Sequence, residues 1–160
     1  MNAGSDPSSA PLRVHVVSGP NLDRLGKREV GIYGKATLDD VHRAVEEAAR
    51  AEGVEVAFLQ SNHEGDLVTA LGRAKDEGFD GVVLNAGAYT HTSIALLDAI
   101  RAGGVPVVEV HLSNTAAREP FRHRSRIAPA CLGVVAGFGP RSYVLGLLGL
   151  IGHLRGVATG

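Results

Sequence analysis

The chain has 160 residues, with 16 Lys and Arg against 17 Asp and Glu and a formal net charge of -1. That length fits one ordinary domain, able to bury roughly 70% of its unfolded surface in a single core, and leaves no room for a second. The scattered, nearly balanced charges offer no basic face for a nucleic-acid backbone, and the lone Cys131 excludes an intrachain disulfide and leaves thiolate metal chemistry without clustered partners.

Residues 1–11 are rich in Ser, Pro, Gly and Asp and lack the basic start and apolar segment of a signal peptide. A disordered tail is expected there, followed by a single catalytic domain over residues 12–157 in a reducing, cytoplasmic setting. Short runs rich in β-branched residues follow at Val14 to Val17, Val54 to Leu59, Gly81 to Leu84, Pro106 to Val110 and Leu132 to Ala136. Each is almost continuously apolar, the pattern of parallel strands covered on both faces. Helical periodicity fills the gaps. Thr37 to Glu52 puts Leu38, Val41, Val45 and Ala48 on one stripe, with Thr37 and Asp40 spaced as a capping box and Gly53 beyond the end. Leu67, Leu71 and Ala74, closed by Gly78, predict a second helix; Ile94, Leu97 and Ile100, closed by Gly103, predict a third. Pro140 opens a last helix through Leu154, and its apolar stretch Tyr143 to Gly152 is too short to span a bilayer.

The βαβ alternation predicts an α/β fold: a flavodoxin-like, doubly wound, five-stranded parallel sheet with helices on both faces. Ligands in such sheets bind beyond the carboxyl ends of the strands. After the first strand, Gly19 to Gly34 (GPNLDRLGKREVGIYG) runs sixteen residues without periodicity. A loop of that length generally has a function, and this one reads as a lid carrying Arg24, Arg28 and Tyr33 between glycines that permit turns. The other strand exits are QSNHEG after the second, NAGA after the third, HLSN after the fourth and GFGP after the fifth.

Glu109 and His111 are two apart on a strand and so point to one face. A carboxylate buried in such a run needs a partner, and a bond to one imidazole nitrogen would satisfy it and orient the ring as a proton donor. The same pair would also serve simply to tie a strand end to its loop. His91 lies in a loop feeding a helix whose first-turn donors suit an oxygen-rich ligand, although Thr90, Thr92 and Ser93 around it are equally good helix caps. Arg118 and Arg122 share a face if residues 116–124 are helical, either as a solvated basic edge or, beside Leu112 and Ser113, as a clamp on an anionic substrate. No histidine or cysteine spacing suggests a metal, and the GxGxxG, GxxxxGK[ST] and GxSxG patterns are absent.

Taken together, GPNLDRLGKREVGIYG, QSNHEGDL, NAGAYTHTS, VEVHLSN and REPFRHRS resemble the type II 3-dehydroquinate dehydratases over nearly the whole folded chain. The resemblance implies cofactor-free conversion of 3-dehydroquinate to 3-dehydroshikimate in the shikimate pathway. It makes Tyr33 the proton acceptor, Arg28 the group that activates it, His111 the proton donor and Asn21 the holder of a water against the enolate oxygen. Asn85, His91, Arg122 and the Leu112 and Ser113 segment match substrate-binding positions, and Asp98 matches one that acts from a neighbouring subunit in a dodecamer of four trimers. Ala88, where some members carry glycine, and Pro120 after Glu119 depart from the pattern without replacing a reacting group. The chemistry suits these residue types. Taking a proton beside a ketone needs a strong base, and a cation beside a phenol favours its anion. A different class of function remains open on the residues alone: a non-catalytic, flavodoxin-like module for a flavin or another anion, though without a tryptophan to stack on a ring.

Overall fold

A computed structural model describes residues 10–156, so most of the expected N-terminal tail and position 157 lie outside the described residues. Strands β1 (Arg13–Ser18), β2 (Glu55–Gln60), β3 (Gly81–Asn85), β4 (Val107–His111) and β5 (Gly133–Ala136) form one sheet in the order β2-β1-β3-β4-β5. Every pairing is parallel, with Ser18 opposite both Gln60 and Asn85 and His111 opposite Ala136. The strand ends that carry the polar exits are therefore level across the sheet.

Four long helices, α2 (Leu38–Ala51), α3 (Glu64–Gly72), α4 (Ile94–Ala102) and α5 (Arg141–Leu154), cover it, and a single turn, α1 (Val30–Tyr33), lies in the lid. Alternation along the strands builds two cores. Val14, Val16, Val83, Val108 and Val110 pack with Val41, Val45, Leu147 and Leu150 of α2 and α5. Val17, Val82, Leu84 and Val107 pack on the other face with Leu67, Leu71, Leu96 and Ile100 of α3 and α4. The capping box that starts α2 is formed: Asp40 N–H donates to Thr37 Oγ1 at 3.2 Å, and Thr37 N–H to Asp40 Oδ2 at 2.9 Å. On α5, a side chain at Gly146 would come 2.5 Å from Val110 Cγ1, so the bare backbone lets the helix settle onto β4.

Three expectations are corrected. Only β1, β3 and β4 are covered on both faces; the edge strands β2 and β5 are partly open, with Leu132 and Val134 at the β5 edge 44% and 50% exposed. Helix α3 stops at Gly72, and beyond it Lys75 N–H turns to the Gly103 carbonyl at 3.3 Å; Ala74 is still buried and Gly78 still turns at φ +83°. Residues 116–124 are not one helix but two 3-10 turns, Thr115–Ala117 and Pro120–Arg122. Glu119 between them is extended, as the residue before a proline tends to be, so Arg118 and Arg122 do not share a helix face.

Candidate active site

At the carboxyl ends of the strands lies a cleft of about 150 Å³ between the lid and the exits of β1, β3 and β4. Leu22 and Leu25 are buried and fix the root of the lid, and a side chain at Gly19 would come 2.7 Å from the Ala86 carbonyl oxygen, so the β1 and β3 exits lie backbone to backbone. Asn21 takes a left-handed conformation at φ 66°, and its N–H donates to Asn62 Oδ1 at 2.9 Å. Asn62 in turn accepts the Tyr89 hydroxyl on its carbonyl at 2.8 Å, so one residue of the β2 exit ties the β1 and β3 exits together.

In the lid, the last residue of α1 presents its phenol to the cleft. Arg118 Nη1 donates to the Tyr33 hydroxyl at 2.7 Å. The guanidinium carbons of Arg28 and Arg118 each lie 5.2 Å from the Tyr33 ring centroid. Arg28 also pairs with Glu29 at 2.6 Å. Arg28, expected to activate Tyr33, therefore lies over its ring, while the contact to the oxygen comes from Arg118.

From β4, Glu109 is 1% exposed and accepts a bond from His111 Nε2 at 2.7 Å. With the carboxylate taking Nε2–H, Nδ1 is the nitrogen His111 has left for the cleft that it lines. Glu109 Oε1 accepts from the Ser125 hydroxyl at 2.7 Å. His91 is turned similarly: its Nδ1 meets the Arg124 carbonyl at 2.8 Å, and its ring lies 6.4 Å from that of His111. Ser93 caps α4, accepting from Leu96 N–H at 2.9 Å, which assigns the capping role to that residue rather than to His91's immediate neighbours. Below the cleft, Asn85 is buried and accepts Gly87 N–H at 3.1 Å. Next to it the Tyr143 hydroxyl meets Ser18 Oγ at 2.9 Å, and burial pushes this phenol up to about 12.

Arg28, Arg118 and Arg122 all line the cleft with His91 and His111, and no Asp or Glu does among the described residues. Such a cavity suits an anion bearing hydroxyl or carbonyl oxygens. Set against the sequence reading, Asn21, Arg28, Tyr33, Asn85, His91, His111, Leu112, Ser113 and Arg122 all reach the cleft, and Glu109 stands directly behind His111. Arg24 is exposed outside it, and so is Asp98, on α4. The sequence offered Arg118 only as a basic edge or a substrate clamp, not as a partner of Tyr33, and gave Ser125 no part. Their link to Tyr33 and Glu109 depends on how separate loops meet.

The sequence profile of the family described as Dehydroquinase class II matches residues 12–151. The chain belongs to the class II dehydroquinase family. A 3-dehydroquinate dehydratase of Azorhizobium caulinodans is 61% identical over 137 residues, 86% of this chain and 92% of that one. One of Nostoc is 54% identical over 91% of this chain and 99% of its own. Among solved structures, a type II dehydroquinase from Butyrivibrio crossotus superposes with a TM-score of 0.86 at 38% identity, covering 89% of this chain and 99% of that one. A class II dehydroquinase therefore has here the five-stranded parallel sheet read from its sequence, with the cleft at the expected end.

Proposed function

We propose that this class II dehydroquinase is a 3-dehydroquinate dehydratase, a hydro-lyase that removes water from 3-dehydroquinate by anti elimination through an enolate. The observation that carries this reading is the pairing of two proton-transfer groups on one cleft: Tyr33, whose hydroxyl accepts from Arg118, and His111, backed by Glu109. Tyr33 takes the proton at C2, next to the C3 ketone, and the arginines around it stabilise the negative charge of its phenolate. The electron pair moves onto the ketone oxygen, where Asn21 holds a water, as the resemblance implies. The enolate then collapses to form the C1–C2 double bond as the C1 hydroxyl departs, protonated by His111, leaving 3-dehydroshikimate and water. Asn85, His91, Leu112, Ser113 and Arg122 bind the substrate's oxygens and carboxylate.

No cofactor takes part in this scheme, and it forms no covalent bond between enzyme and substrate. A Schiff base would need a lysine, and Lys27, Lys35 and Lys75 are all absent from the cleft lining. The working form proposed is the dodecamer of four trimers, in which Asp98 of one chain reaches the site of another. The test is the assay itself. Adding 3-dehydroquinate should produce the absorbance of a conjugated enone, and borohydride added with substrate should leave the enzyme active. No chromophore, or a reduced covalent adduct by mass spectrometry, would refute the scheme.

A further inference from the structure

Glu109 has two carboxylate oxygens inside the protein, and each has a different partner: His111 on Oε2 and Ser125 on Oε1, both at 2.7 Å. The Ser125 oxygen itself accepts Ala128 N–H at 3.0 Å. A chain of bonds thus runs from a backbone amide through a hydroxyl and a buried carboxylate to the imidazole, each member oriented by the one behind it. The neighbours of Ser125 join the same arrangement. Arg124 supplies the carbonyl that holds His91 Nδ1 at 2.8 Å, and Arg126 N–H bonds the Thr90 carbonyl at 2.8 Å. Three consecutive residues of one loop therefore fix both histidines of the cleft.

We infer that Ser125 is a positioning residue for proton donation: its hydroxyl locks the Glu109 carboxylate in the rotation that presents Oε2 to His111 Nε2, and so aims Nδ1 at the departing hydroxyl. The inference rests on the elimination proposed above, with His111 as donor. Without the serine, one buried carboxylate oxygen loses its partner and the carboxylate is free to rotate or draw in water. The imidazole then loses its fixed aim while Tyr33, on the opposite loop, is untouched. The consequence is specific to one half of the reaction: removal of the C2 proton continues and loss of water slows.

The test compares release of label from C2-deuterated substrate into solvent with formation of product. Ser125→Ala should lower kcat about ten- to a hundredfold, the range expected for losing one hydrogen bond to an ion, with KM within about twofold. Label release should fall much less, so its ratio to product formation rises. Ser125→Thr, which keeps the hydroxyl, should restore both the rate and the ratio. If Ser125→Ala fails to fold, Ser125→Cys, a weak donor of similar size, is read in the same way. Wild-type kcat in the variant, or label release and elimination declining together, overturns the inference. His111→Ala run alongside separates the two levels: if it blocks elimination while Ser125→Ala does not, only the role of Ser125 is refuted, and if it leaves elimination intact the donor itself is refuted.

Discussion

Among the three tyrosines, Tyr33 alone has a hydroxyl that accepts from a guanidinium, the arrangement a phenolate base requires. Tyr143 is fully buried and its phenol is raised to about 12, so it stays a neutral hydrogen-bonding group beneath the cleft. Tyr89 spends its proton on the Asn62 carbonyl. Tyr33→Phe removes one oxygen and leaves the ring between the two arginines, so the fold and substrate affinity should persist while kcat falls about a hundredfold or more, the usual contribution of a positioned base. Arg118→Met should lower kcat as well, but less, because Arg28 still lies over the ring. Steady-state kinetics with a thermal melt for each variant make the check. A Tyr33→Phe enzyme turning over at a near-normal rate would move the base elsewhere.

At the scale of elements, what could be read in the sequence follows the range of the forces involved. The three inner strands and the starts of the long helices were legible because their signals are local: continuous β-branched runs, a 3.6-residue stripe, and the Thr37 and Asp40 box. Glu109 and His111 were legible for the same reason, lying two apart on one strand. The contact of Arg118 with Tyr33 was not, since 85 residues separate them and their meeting depends on how two loops close over the sheet. The break between Thr115–Ala117 and Pro120–Arg122 had a local signal, Pro120, which the helix pattern outweighed. A buried polar group inside a strand has its own consequence. His15 of β1 stacks on Phe79 with ring centroids 4.3 Å apart, and its Nδ1 is buried without a partner. Burial, with a smaller push from Arg13 and against the pull of Glu77, lowers its pKa below the ordinary 6.5, and burial lowers His42 likewise. The unfolded chain then binds these protons more readily than the folded one. Their neutral forms leave stability intact above about pH 6.5, and it declines as pH falls from there through the lower folded values. Thermal midpoints by circular dichroism should drop between pH 7.5 and 5, and His15→Phe should flatten that slope. An unchanged slope in the variant would show that His15 binds its proton as readily in the folded protein as in the unfolded chain.

For the whole molecule the question is what covers its open side. The segment Tyr143 to Gly152 is apolar around nearly its full circumference, and the fold uses only part of it: Tyr143, Leu147, Leu150 and Ile151 are buried, while Leu145 and Leu148 are 38% and 40% exposed. Beside α5 runs the open edge of β5, where Leu132, Val134, Gly133 and Gly149 line an apolar trench. An unpaired apolar strand edge next to a half-covered apolar helix is a surface that invites a partner, and the proposed assembly provides one from copies of the same chain. One feature of the site points the same way: Asp98 stands exposed outside its own cleft. Light scattering should therefore give a mass many times the 16.6 kDa of one chain. Across a urea series, activity should fall in step with that mass, before the helical signal is lost. Asp98→Asn should lower kcat while the mass holds, because the change touches a neighbour's site and leaves the apolar contacts alone. A fully active monomer would refute the part given to Asp98 and leave the trench at β5 without a function in assembly.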